Sequence, residues 1–340
     1  MAGGAEVEAA NRDELLRKLP AELWSKIVDE NVQQNDLFAL AMTCRFFREK
    51  QKDLGKKVET NVDPWLLVEL RESGEVASHT LGWFQWVCDT MEILPRFYLG
   101  NMRVEGAVYE TDLVNYAAFQ GSVEILRWLV EEKGWETNWE TCEWAGMSGS
   151  IEVLEYLKER GYEFNVMACV RAAKGGHLEA LKYLRGLDPP CPWDGAVCSW
   201  AAEGGQLEVL QWLRGQDPPC PWSWLTCSDA ARGGQLEALK WARSEDPPCP
   251  WDRSTCFQAA YGGHLEVLKW ARSQDPPCPW DWETCGWAAE GGQLEVLKWL
   301  RSQDPPCPWY RSGCREVASL GHPHVVEWID QQEDHEGDVA

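Results

Sequence analysis

Trp280 to Pro308 reads WDWETCGWAAEGGQLEVLKWLRSQDPPCP, and the stretch recurs along the chain. The string Asp-Pro-Pro-Cys-Pro-Trp begins at Asp188, Asp217, Asp246, Asp275 and Asp304, each 29 residues after the last. A Gly-Gly pair keeps the same step at Gly175, Gly204, Gly233, Gly262 and Gly291, and single glycines extend it to Gly121, Gly149 and Gly321. Eight units are readable. A fixed period between about 20 and 50 residues is the signature of a solenoid, propeller or array.

Within the quoted unit, Asp281 is placed to cap a first helix, and its column also holds Asn138, Asn165, Asp194, Ser223 and Asp252. Tyr310 is the exception in that column. Cys285, Ala288 and Ala289 fall at i, i+3 and i+4, a small-residue face suited to close helix contact. Gly291-Gly292 ends this helix A and turns the chain. Helix B follows from Leu294 to Ser302, with Leu294, Val296, Leu297, Trp299 and Leu300 covering most of its circumference. Asp304-Pro305-Pro306 stops it, because proline has no N–H and restricts the residue before it. One such pair cannot bury helix B, so neighbouring units must stack on it.

The chain has 340 residues, with 32 Lys plus Arg against 55 Asp plus Glu and a net charge of −23. That balance predicts no nucleic-acid partner, since phosphates are neutralised by bound cations, and no anionic membrane partner. The start Met1-Ala-Gly-Gly-Ala-Glu-Val-Glu carries no basic and apolar leader, and no apolar run reaches the roughly 18–20 residues that span a bilayer. The expectation is a cytoplasmic monomer, with the nucleus as a second compartment. Fourteen Cys and 22 Trp trace mainly to the repeat.

These residues resemble the ankyrin repeat. Thr284-Cys-Gly-Trp-Ala-Ala-Glu-Gly-Gly-Gln-Leu-Glu-Val-Leu-Lys-Trp-Leu is similar to T-P-L-H-x-A-A-x-x-G-H-x-E-V-V-x-x-L, and Gly263-His-Leu-Glu-Val-Leu268 is closer still. The resemblance covers Thr111 to Asp330. It departs in period, about 33 residues in the family, because Asp-Pro-Pro-Cys-Pro-Trp stands where the family has a hairpin segment; whether a β-hairpin forms there is open.

Each unit pairs its loop cysteine with a second one seven residues on, as in Cys191/Cys198, Cys220/Cys227, Cys249/Cys256, Cys278/Cys285 and Cys307/Cys314. Zinc needs four ligands at closer spacing, and a reducing compartment opposes disulfides. The favoured reading is small buried hydrophobes; no metal and no cofactor is expected.

The N-terminal residues have another pattern. Leu19, Pro20, Glu22, Leu23 and Ile27, then Asp36, Leu37, Leu40, Cys44, Arg45, Phe47 and Arg48, predict a separate module of two or three short helices. This segment resembles an F-box, L-P-x-E-L-x-x-x-I followed by D-L-x-x-L-x-x-x-C-[KR]-x-[WF]-R. The resemblance implies that Leu19, Pro20, Leu23, Ile27, Leu37 and Leu40 meet the Skp-type linker of a cullin-RING ubiquitin ligase. The alternative is a hydrophobic cap on the first repeats.

The expected architecture is all-α: an α-solenoid of stacked helix-turn-helix, ankyrin-like repeats with a small N-terminal helical F-box-like module. The divisions are a disordered tail at 1–18, the F-box-like module at 19–54, a linker and degenerate first repeat at 55–110, the array at 111–330 and an acidic tail at 331–340. Columns constant between units are explained by stacking, so the variable ones carry information about binding. The position two after the loop Trp reads Gly195, Trp224, Arg253, Trp282, Arg311, and the one after Ala-Ala reads Glu203, Arg232, Tyr261, Glu290, Ser319. By the ankyrin resemblance these columns line the concave face. Trp224, Arg253, Trp282, Arg311, Arg232 and Tyr261 are the candidate contacts with a target protein, being residue types favoured as anchors. Stacking of Trp224 and Trp282 along the ladder is the competing reading, as is core packing for Trp200 and Trp287. No catalytic constellation is present, and the predicted function is a protein-binding adaptor of a ubiquitin ligase. The alternative is an ankyrin-repeat scaffold without ligase contact.

Overall fold

A computed structural model describes residues 79–90, 93–95 and 108–332. The F-box-like residues Leu19, Pro20, Leu23, Ile27, Leu37 and Leu40 lie outside the described residues, as do the predicted N-terminal tail and residues 333–340 of the acidic one. The chain divides into two compact units, Met1–Thr141 and Cys142–Ala340. Among the described residues no helix is long and apolar enough to cross a membrane.

In the first unit, α1 (Leu81–Thr90) buries Trp83, Phe84 and Val87. Phe84 stacks on Tyr116 at 6.0 Å, and Trp83 meets the same ring edge-on at 6.2 Å. Two-residue strands β1 (Ile93–Leu94) and β2 (Val108–Tyr109) pair in parallel. They are the only strands among the described residues. The repeats then begin with α2 (Glu110–Phe119) and α3 (Val123–Arg127), which runs on into a π-helical turn, Trp128–Glu132.

The second unit begins within α4 (Trp139–Ser148) and continues as alternating A and B helices. They are α5 (Ile151–Glu159), α6 (Val166–Lys174), α7 (Leu178–Gly186), α8 (Gly195–Glu203) and α9 (Leu207–Arg214). Next come α10 (Trp224–Arg232), α11 (Leu236–Ser244), α12 (Arg253–Tyr261) and α13 (Leu265–Arg272). The last four are α14 (Trp282–Glu290), α15 (Leu294–Arg301), α16 (Arg311–Ala318) and α17 (Pro323–Asp330). Consecutive A helices pack side by side from α6 through α16. The chain is an all-α helical repeat array.

Local chemistry sets each boundary. Asp194, Ser223, Asp252 and Asp281 accept backbone N–H bonds at the starts of α8, α10, α12 and α14, whereas Tyr310 makes no side-chain cap for α16. The two glycines that end each A helix serve different needs. The second takes positive φ, 69° at Gly205 and 70° at Gly234, a region that disfavours side chains. The first allows close approach: a Cβ at Gly233 would run into the Glu203 carbonyl of the preceding unit.

The Asp-Pro-Pro-Cys-Pro-Trp loop is extended and contains no strand, so the hairpin of the ankyrin family is absent. Its Asp–Pro bond is cis in all five copies. Arg243, at the end of α11, donates to the Cys249 carbonyl at 2.6 Å and lies over Trp251 at 4.2 Å. Trp251 meets Trp270 of the next B helix edge-on at 6.0 Å. The same Arg–Trp–Trp arrangement recurs at Arg214, Trp222 and Trp241 and at Arg272, Trp280 and Trp299. The loop tryptophans therefore mortar one B helix to the next, which accounts for their number.

The cysteines pair differently from their sequence spacing. The helix cysteine faces the loop cysteine 22 residues later: the Cys227 thiol points to the Cys249 carbonyl, at 3.8 Å, and Cys256 to that of Cys278, also at 3.8 Å. The loop thiols donate back to the capping residue of the same unit, Cys249 to Ser223 O at 3.3 Å and Cys278 to Asp252 O at 3.3 Å. All thirteen described cysteines are free. Hydrogen bonding to the loop thiol, followed by burial, holds Cys198 and Cys227 far above the ordinary thiol range. They are neutral packing groups that also satisfy backbone carbonyls.

Candidate ligand surface on the A helices

The variable columns lie on the A helices, at the first position after the capping residue and at the last position before the glycine pair. Trp224 and Trp282 occupy the first position of α10 and α14, just after their capping residues. They are 43% and 44% exposed, and Tyr261, at the end of α12, is 40% exposed. Trp139, at the first position of α4, is more exposed at 57%, and Tyr310 matches Tyr261. No ring contact joins Trp224 to Trp282, so the two do not form a stacked ladder.

The arginines are engaged within the array. Arg232 pairs with Glu203 of the preceding unit at 2.8 Å and with Asp229 at 3.5 Å. Burial raises the Asp229 carboxyl above its ordinary range; Arg232 opposes this rise and Glu203 adds to it. Arg253 meets Asp281 at 2.6 Å and Glu283 at 3.9 Å, linking α12 to the start of α14. Arg311 turns to the last helix, where its guanidinium donates to the Ile329 carbonyl at 3.2 and 3.1 Å. The same carbonyl also accepts the Gln332 N–H at 3.1 Å, so Arg311 reinforces the C-terminus of the last helix, a structural role.

Trp200 and Trp287 are half-buried rather than core. Arg171 and Lys174 cover the Trp200 ring at 5.3 and 4.6 Å. Trp287 is stacked on Phe257 at 5.5 Å with the planes 17° apart, and Tyr261 meets it edge-on at 5.6 Å. Beyond Trp287 a cavity of about 370 Å³ opens between α14 and α16, walled by Trp282, Trp287 and Tyr310, with Glu283 and Glu290 at its margin. Reading the residues singly missed this cavity. Its signal was three breaks in the columns: Gly286 where the neighbouring unit has Phe257, Gly313 where it has Thr284, and Tyr310 where it has Asp281. Among the described residues no group of three or more His, Cys, Asp or Glu is arranged to hold a metal ion.

No protein-family model matches the chain, and no curated protein matches it. Solved structures do. The chain is similar to the pentatricopeptide repeat protein PPR10 in complex with an 18-nt psaJ RNA element, at 14% identity and a TM-score of 0.36, over 92% of this chain and 47% of that one. A second structure of that complex, carrying C256S/C430S/C449S, gives 13% identity and a TM-score of 0.36 over the same shares. PPR10 from maize gives 13% and 0.30, over 80% and 43%. The chain spans less than half the length of these proteins.

The partner expectation is corrected here. A Skp-type linker was expected and nucleic acid excluded, whereas the solved structures to which the chain is similar include an RNA complex. The exclusion rested on net charge, which is summed over the whole chain and sets solubility and steering rather than the chemistry of one face. The fold and the surface together define a helical repeat array with an exposed aromatic and charged A-helix edge.

Proposed function

We propose that the chain is a binding scaffold of short-period, ankyrin-like repeats, its ligand lying along the exposed starts and ends of the A helices. The exposure of Trp224 and Trp282 at the same A-helix position two units apart, with Tyr261 exposed at the end of the A helix between them, carries this reading. Large aromatics left in water at regular intervals offer contact area at little conformational cost. Arg253 sits between the two tryptophans and adds a charged contact. The scaffold performs no chemistry of its own.

The test compares what wild type and a Trp224→Ala/Arg253→Ala variant retain from a cell extract, with protein and RNA counted separately. Helicity by circular dichroism should be the same for both. A partner of either class held by wild type and reduced about tenfold or more by the variant is expected, since truncating central anchors typically costs about 2 kcal/mol or more. Identical profiles from folded proteins overturn the proposal.

A further inference from the structure

The strongest unassigned feature is the cavity between α14 and α16. Three aromatic rings and two carboxylates form its walls, the combination that attracts an organic cation through ring faces and charge together. Glu290 is the last residue of α14, where the negative end of the helix dipole reinforces that attraction. Gly286 leaves the floor open, because a Cβ there would meet nothing within 4 Å.

The array contains an occupied version of the same columns. One aromatic–carboxylate pair, Trp200 and Glu203, is saturated by the chain itself. Arg171 and Lys174 lie over the ring, while Lys174 and Arg232 meet the carboxylate at 3.5 and 2.8 Å. Trp287 and Glu290 occupy those columns three units later. There, Gln258 and Tyr261 stand in place of Arg171 and Lys174, and Ser319 stands in place of Arg232. Phe257 and Tyr261 fill the near side of Trp287, and its far side faces the cavity. Among the described residues no Lys or Arg pairs with Glu290. A site built to hold a cation has lost the internal one.

We propose that this cavity takes the cationic side chain of a basic polypeptide, a lysine, methylated lysine or arginine seated among Trp282, Trp287 and Tyr310 against Glu283 and Glu290. The inference rests on the scaffold reading and names the partner chemistry for one end of its surface. Burial pushes the Cys314 thiol at the cavity wall up to about 12, so the wall's negative charge comes from Glu283 and Glu290 alone.

The probes are four pentapeptides differing only in the central residue, trimethyllysine, lysine, arginine or norleucine, titrated calorimetrically into the full chain. At least one cationic peptide should bind at least tenfold more tightly than the norleucine one, with affinity falling as salt is raised. The order among the three cations identifies the source of the charge. Gly286→Leu, whose Cβ meets nothing within 4 Å and whose branches project from the floor, should abolish binding. Ser319→Arg should do the same by restoring an internal cation, and Glu290→Gln should weaken binding about tenfold. The proposal is overturned by norleucine binding as well as the cations, by cation binding untouched in Gly286→Leu, or by no binding at millimolar peptide. An oligoribonucleotide whose binding is lost in Gly286→Leu would make the cavity a base-stacking site and overturn it too. Failure here with partner loss in Trp224→Ala/Arg253→Ala leaves the scaffold reading standing.

Discussion

His177 shows how single residues lock units together. Its ring Nε2 meets the Met147 carbonyl of the preceding unit at 2.8 Å, and one repeat later Gln206 Nε2 donates to Lys174 O at 3.2 Å. Burial lowers the His177 pKa below its ordinary value, with the Met147 hydrogen bond acting in the other direction. A depressed folded-state pKa means stability that is present above the unfolded value near 6.5 and lost as pH falls through the folded value. Urea titration should therefore find wild type less stable at pH 5 than at pH 7.5. His177→Gln should match wild type at pH 7.5 and exceed it at pH 5; an equal acid loss in both would remove His177 as the cause. At Gly233 the expectation is steric: Gly233→Ala forces a methyl against the Glu203 carbonyl and should cost about 1–3 kcal/mol. The pattern of glycines was readable in the sequence. Which glycine served φ and which served close approach was not, because the second depends on the neighbouring unit.

Among the elements, the loop and its tryptophan decide how B helices meet. Replacing Trp251 by Ala removes the ring that Arg243 and Trp270 both contact, and should cost about 3–5 kcal/mol. Thermal unfolding of Trp251→Ala with a shift under a degree or two would show that the ring contributes little. Caps are smaller: Ser223→Ala should lose about 1 kcal/mol, because the Leu225 N–H bond at 3.3 Å and the Ser223 half of the capping box with Thr226 go with it. The cysteines belong to the same scale. Buried neutral thiols should resist alkylation in the native array and react on unfolding; rapid native labelling of Cys198 or Cys227 would contradict the packing described. Composition alone made the cysteines a framework to be explained, and spacing suggested the seven-residue pairs. The faced pairs lie 22 apart because the loop folds back over its own unit, which only the fold reveals.

At the scale of the molecule, a repeat array draws stability from each unit and from its neighbours. Excision of residues 223–251, one full period, should leave a folded helical protein of reduced stability, since the new junction rejoins equivalent positions. Loss of cooperative unfolding on excision would show that the units are not interchangeable.

Period, helix pairing, capping and the all-α class were legible in the sequence, because they follow from local chemistry repeated at a fixed step: a cap, a small-residue face, two glycines and a proline stop. Candidate surface positions were legible as columns that vary while the scaffold does not. Tertiary structure alone decided that Arg311 turns inward to Ile329, that Trp200 carries the chain's own cations, and that three column breaks coincide to open a cavity. Each depends on side chains from adjacent units meeting across an interface, and the spacing within one unit holds no record of what the next unit presents.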